Sequence, residues 1–192
     1  PDQQTIWITV RRLEGRMGMT NLVEALSSVR QRHPDALLLI AGKGYLRPIL
    51  EALIQRYQLE NGVRLLGFVS EEDLPIYLAA ADLFVLPTES LEGFGLATIE
   101  ALAAGIPVIG TPIGATPEIL APIDPDLLTR DASPEALASS ISSWLDRRED
   151  LIPLGDRCRT AAENLYSAAQ VARRLENLFA EMIAAKPNKK LP

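Results

Sequence analysis

The chain has 192 residues, 47% of them hydrophobic and 23% charged, which is ample for one core and crowded for two domains. Its formal net charge of -6 argues against a general nucleic-acid binder, because such proteins need a basic footprint to release counterions. One histidine, His33, and one cysteine, Cys158, cannot build a histidine–cysteine metal site or an internal disulfide.

In chain order, apolar runs read as strands near 6–10, 36–41, 63–66, 82–86 and 107–111. They alternate with helices expected near 19–32, 45–58, 71–80 and 95–104. A short helix is expected over Pro117 to Leu120, and Ala121 to Pro125 reads as a rigid loop rather than a linker. Ser133-Pro134-Glu135 supplies the cap, first-turn proline and acid of a helix start, with helices expected near 134–146, 149–164 and 168–185. The alternation predicts an α/β fold: a Rossmann-like, doubly wound parallel sheet with helices on both faces and a ligand crevice at the strand carboxyl ends. One domain over 1–185 and a disordered basic tail over 186–192 follow, with no internal repeat. The chain opens on proline, as a segment of a longer protein would. No signal peptide and no apolar run long enough to span a bilayer is visible, so the expected setting is cytoplasmic, with peripheral contact at the inner membrane face left open.

Two stretches carry chemistry. Leu83 to Leu86 reads as a buried strand ended by Pro87, and Gly93 and Gly95 allow a tight turn before a helix opens near Leu96. Seven residues separate the two glutamates that bracket this turn, Glu92 and Glu100. A helix start offers unpaired N–H groups and the positive end of a dipole, so the junction suits phosphate. Upstream, the first strand runs out into Arg11-Arg12-Leu13-Glu14-Gly15-Arg16-Met17-Gly18. Arg12 and Arg16 stand at a strand carboxyl end, where planar guanidinium forks can grip a diphosphate.

Six ordered motifs extend this pattern: Arg12-Leu13, Ala41-Gly42-Lys43-Gly44, Leu66-Gly67-Phe68-Val69, the Glu92 to Glu100 run, Gly105-Ile106-Pro107-Val108-Ile109 and Gly114-Ala115-Thr116-Pro117-Glu118. With them the chain closely resembles the carboxyl-terminal, donor-binding domain of GT-B retaining glycosyltransferases of family 4, the glycosyl transferases group 1. The resemblance implies that Glu100 accepts hydrogen bonds from ribose hydroxyls and that Glu92 lies beside the donor sugar. It places amides of Phe94, Gly95 and Leu96, within the run Gly93 to Ala97, against sugar and phosphate, and backbone near Val69 against the base. Arg12 would touch the diphosphate. The family has a lysine five positions after that arginine, where this chain has Met17, so Arg16 is expected to supply the second cation. The implied reaction is transfer of a sugar from a nucleotide diphosphate sugar, a substrate rather than a cofactor, without a bound metal. An acceptor-binding amino-terminal domain would lie outside this chain, leaving it inactive alone and its last helices open to self-association. A GT-B sugar-nucleotide epimerase and a non-catalytic nucleotide-sugar binding module are the alternatives.

Each residue also has a plainer reading. Glu100 could be the polar side of a helix, Gly114 a turn glycine, and Glu89 and Glu118 are ambiguous. Arg11 is expected to face solvent, and His33, just before Pro34, to lie on the surface. Cys158 is expected to be structurally indifferent. Gly42-Lys43-Gly44 lacks the third glycine of a dinucleotide fingerprint, Arg47 standing in its place, and no P-loop occurs.

Overall fold

A computed structural model describes residues 4–184. The basic tail expected over 186–192 lies outside the described residues. Five parallel strands, β1 (Ile6–Val10), β2 (Leu37–Ala41), β3 (Val63–Gly67), β4 (Leu83–Leu86) and β5 (Val108–Gly110), form one sheet in the order β3-β2-β1-β4-β5. The central strand β1 pairs with β2 from Ile6↔Leu37 to Val10↔Ala41 and with β4 at Trp7↔Leu83 and Ile8↔Phe84. Trp7, Ile8, Leu38, Leu83, Phe84 and Val85 are fully buried, which is why these strands read as continuous apolar runs: layers of helix cover both faces. The chain winds outward from β1 through β2 to β3, then returns to place β4 on the other side of β1. The strand order therefore reverses between β1 and β4, the point where open α/β sheets form a crevice.

The helices are α1 (Met19–Val29), α2 (Arg47–Arg56), α3 (Leu74–Ala79), α4 (Leu96–Ala103), α5 (Thr116–Leu120), α6 (Pro134–Leu145), α7 (Leu151–Tyr166) and α8 (Ala168–Ala184). Met19, Leu22, Val23 and Leu26 of α1 bury an apolar stripe, and α1 packs against α6 and α2, while α4 packs against α7. The start of α6 follows its sequence signal: Ser133 Oγ accepts from the Ala136 N–H at 3.2 Å. Asp131 accepts from both the hydroxyl and the N–H of Ser133, which lowers its pKa to about 2. Along α8, Val171, Leu175, Leu178, Phe179, Met182 and Ile183 remain exposed. No helix among the described residues is long and apolar enough to cross a membrane.

The differences from expectation have local causes. α3 begins at Leu74 rather than 71 because Ser70 Oγ donates to Asp73 Oδ2 at 2.8 Å and accepts from the Asp73 N–H at 3.1 Å, holding the segment as a turn. A 3-10 turn over Arg148–Asp150 precedes α7, which runs to Tyr166. Leu128 adds a parallel bridge to Gly110, which the proline-rich stretch before it did not advertise. His33, expected on the surface, is partly buried, with Nε2 3.3 Å from Asp146 Oδ1. That partner lies far along the sequence, beyond the reach of a local reading. Cys158 is fully buried, and desolvation pushes its thiol up to about 12, so it stays protonated and inert.

Two glycines let loops close on one another at the strand ends. A Cβ on Gly42, at φ 147°, would stand 1.7 Å from the Arg11 carbonyl oxygen, and one on Gly114, at φ 60°, would stand 2.0 Å from the Glu92 carbonyl oxygen. Both approaches are backbone to backbone, so no side chain can yield. Gly114→Ala is therefore expected to cost about 2 kcal/mol or more of stability, from overpacking and left-handed strain together. Gly93→Ala, where nothing lies within 4 Å of the added carbon, should change it by less than about 0.5 kcal/mol. Paired denaturant titrations check the contrast; equal effects would remove the packing role of Gly114.

Candidate functional site

The carboxyl ends of β1, β4 and β5 meet at one carboxylate. Arg11, the first residue beyond β1, donates from its N–H to the Ala41 carbonyl at 2.9 Å. Its guanidinium Nη2 lies 2.5 Å from Glu92 Oε2 and 2.9 Å from Met17 Sδ. The two charged side chains are only 8% and 10% exposed. Arg11 is thus not solvent-facing as expected; a partner 81 residues away permits its burial, and nothing in the local sequence announces that partner. Thr88 Oγ1 donates to the same Glu92 Oε2 at 2.8 Å. Thr111, just past β5, donates from its hydroxyl to the Thr88 carbonyl at 2.6 Å. Both threonines are fully buried, and sequence reasoning assigned neither a role. The available signal was a hydroxyl four residues before Glu92, directly after the apolar strand and Pro87.

The other two arginines behave differently. Arg12 is 66% exposed and pairs with Glu14 at 3.2 Å, leaving a hydrated cation at the mouth of the cleft. Arg16 donates from Nη1 to the Leu91 carbonyl at 2.8 Å, and its own carbonyl accepts from the Glu89 N–H at 2.9 Å. It therefore braces the loop that carries Glu92. Leu91 sits in the left-handed region at φ 57°, a conformation that costs a non-glycine residue on the order of 1 kcal/mol or more.

Gly95, at φ 72°, forms the N-cap of α4 and provides no side-chain cap. A Cβ at Gly95 would lie 3.7 Å from Glu92 Oε1, so the start of α4 abuts the buried carboxylate. Gly93 and Phe94 lead into Gly95, and Leu96 and Ala97 open α4; Phe94 and Leu96 are exposed, and the rings of Phe94 and Tyr166 meet edge to face with centroids 5.6 Å apart. Glu100 is exposed on α4. Partial burial raises its pKa, and the neighbouring charge of Glu71 raises it further. Glu71 stands two residues past Val69, so the loop after β3 and the helix α4 face one another across these carboxylates.

A cleft of about 440 Å³ lies at the ends of β1, β2 and β3, lined by Val10, Arg11, Arg12, Ala41, Gly42, Lys43, Phe68 and Val69. Lys43 Nζ stands 5.4 Å from the Phe68 ring. Arg12 and Val69 thus share one cleft with Arg11, whose guanidinium holds Glu92, and the start of α4 approaches that carboxylate at Gly95. A somewhat larger cleft, about 500 Å³, is lined by Asp126, Arg130, Ser139 and Trp144 among others, and contains none of the residues that the sequence pointed to. Among the described residues no group of three or more His, Cys, Asp or Glu is gathered to hold a metal. In electrostatic terms the site offers arginine and lysine side chains and an uncapped helix start around one buried, paired carboxylate, which suits an anionic ligand carrying hydroxyl groups.

Comparisons with known proteins agree on one family. The model of the glycosyl transferases group 1 family matches residues 1–165. Over 175 residues the chain is 29% identical to a phosphatidylinositol N-acetylglucosaminyltransferase subunit of Homo sapiens, covering 90% of this chain and 35% of that protein. It is 31% identical over 154 residues to a GDP-mannose-dependent alpha-(1-6)-phosphatidylinositol monomannoside mannosyltransferase of Mycobacterium tuberculosis, covering 77% of this chain and 40% of that protein. The fold is similar to the crystal structure of Anabaena HepE in complex with UDP, with a TM-score of 0.83 at 22% identity over 93% of this chain and 49% of that one. The chain spans less than half the length of these curated relatives. With the family match running from residue 1 to residue 165, the chain belongs to the glycosyl transferases group 1.

Proposed function

We propose that this chain is the donor-binding half of a retaining GT-B glycosyltransferase, holding a nucleotide diphosphate sugar for transfer of its sugar to an acceptor. The observation that carries the reading is the pair Glu92 and Glu100 on either side of Gly95, where α4 starts without a side-chain cap, at the point where the strand order reverses. The GDP-mannose dependence in the name of the mycobacterial relative, and the UDP in the Anabaena structure, support a nucleotide-linked donor. In this reading Glu100 accepts from ribose hydroxyls, backbone near Val69 meets the base, and amides of Gly93 to Ala97 meet sugar and phosphate. Arg12, exposed at the cleft mouth, folds onto the diphosphate and stabilises the charge that grows there as the glycosidic bond breaks. Arg16 supports that cation while bracing the Leu91 carbonyl. Glu92 orients the sugar and stabilises positive charge at the reacting carbon. Acceptor recognition falls to the portion of such relatives that this chain does not span, so the chain alone binds donor without transferring it.

Calorimetric titration with UDP, GDP, ADP and their sugar conjugates, each compared with its nucleoside, tests the reading. Diphosphate-dependent binding is expected. Arg12→Ala should weaken the diphosphates about tenfold and the nucleosides hardly at all, whereas Glu100→Ala should weaken both. Equal losses for both ligand types in Arg12→Ala, or unchanged binding in Glu100→Ala, would contradict the assigned roles.

A pH profile gives an independent check. The raised pKa of Glu100 means that its carboxylate is lost, as pH falls, sooner than an ordinary glutamate would lose it. Nucleoside affinity should therefore begin to fall, as pH is lowered, at a higher pH than an ordinary glutamate would dictate. Glu71→Gln removes one of the two causes and should move that midpoint to lower pH; an unmoved midpoint would show that Glu100 does not govern binding.

A further inference from the structure

The donor-binding reading leaves Arg11 without a part. Arg11 stands where sequence reasoning put a solvent-facing side chain, yet its guanidinium is almost buried against Glu92. We propose that Arg11 supplies the second diphosphate-facing cation of this site, in the place of the lysine that the family pattern puts at residue 17, and that Glu92 holds it in reserve until an anion enters. The proposal rests on the donor-binding reading and deepens it.

Three observations carry it. The first is position. Arg11 Nη2 touches Met17 Sδ at 2.9 Å, so the guanidinium occupies the space at the tip of side chain 17, where an amino group would otherwise lie. Met17 is itself buried and uncharged, so the positive charge at this point comes from the strand exit, six residues earlier in the chain. The second is unused capacity. A guanidinium has five N–H donors, and among the described residues the Arg11 side chain donates only from Nη2, to one carboxylate oxygen and to a thioether, a weak acceptor. A carboxylate held through a single oxygen leaves the rest of the fork available to phosphate, which takes it with two parallel hydrogen bonds. The third is adjacency to the cleft. Arg11 lines the same cleft as Arg12, Lys43 and Val69. Arg16, by contrast, has Nη1 committed to the Leu91 carbonyl.

The pair also explains how a cation can wait in a nearly dry place. Unpaired, a buried guanidinium would be strongly unfavourable; paired with Glu92, it is neutralised, and Thr88 Oγ1 satisfies the same carboxylate oxygen. An arriving diphosphate replaces that compensation and frees Glu92 Oε2 to turn to sugar hydroxyls. One exchange of partners thus arms both residues.

The test is calorimetric titration of inorganic pyrophosphate, alongside UDP, GDP and ADP, into the chain and its Arg11→Gln, Arg16→Gln and Arg11→Gln/Met17→Lys variants, with circular dichroism to confirm folding. Arg11→Gln should weaken pyrophosphate at least tenfold, and Arg16→Gln by less than about threefold. The double variant, which returns a cation to Glu92 from residue 17, should recover to within about threefold of the parent. It keeps Glu92 paired, so it remains informative even where Arg11→Gln alone fails to fold. A parent chain that does not bind pyrophosphate, an Arg11→Gln variant that binds it undiminished, a larger loss in Arg16→Gln, or a folded double variant without recovery would each overturn the proposal. Arg11-dependent pyrophosphate binding with no gain from any nucleoside would sink the donor reading and leave the cation assignment standing. Tight nucleoside diphosphate binding indifferent to Arg11→Gln would do the reverse.

Discussion

The ion pair between Arg11 and Glu92 is the constraint around which the site is arranged. It spans the reversal of strand order, tying the exit of β1 to the loop beyond β4, with both side chains nearly withdrawn from water. Such a pair gains stability only when its remaining lone pairs and protons are satisfied, and breaking it from one side typically costs about 3 to 5 kcal/mol. Thr88 meets that requirement for one carboxylate oxygen only, and Thr111 fixes Thr88 through its carbonyl. The close approaches at Gly42 and Gly114 bring backbone against the carbonyl of each member of the pair.

Environment then separates the two glutamates that frame the turn. Glu92 is withdrawn from water and held by a guanidinium and a hydroxyl, whereas Glu100 lies exposed beside Glu71 with its pKa raised by partial burial and like charge. A chain with a formal net charge of -6 nevertheless gathers three arginines and Lys43 at the strand ends, and the start of α4, with no side-chain cap, adds its dipole. Overall charge governs long-range steering; the local arrangement governs what stays bound.

Much of the fold was legible because its signals are local. Apolar runs of strand length, alternating with helix-period stretches, located all five strands, and the Ser133-Pro134-Glu135 start of α6 carries its cap in three adjacent residues. The motif order pointed to the glycosyl transferases group 1, and most of its motifs fall at the carboxyl ends of the strands. What escaped notice was set by contacts distant in sequence: the burial of Arg11 by Glu92, the approach of His33 to Asp146, the Thr111 to Thr88 bond and the bridge from Leu128 to Gly110. An arginine next to another arginine at a strand exit looks solvated until its partner is known. The start of α3 was misplaced for a different reason, since Ser70 and Asp73 satisfy each other in a turn that composition alone does not separate from a first helical turn.

The central claim is that an anionic nucleotide sits at the strand ends around the start of α4. Amide chemical-shift mapping with UDP or GDP on the isotopically labelled chain addresses it most directly. The account predicts that the largest shifts fall on Gly93 to Ala97, on Val69 and on the Arg11 to Met17 segment. Shifts confined instead to the cleft between Asp126 and Trp144, or absent from the α4 turn at saturating ligand, would contradict it.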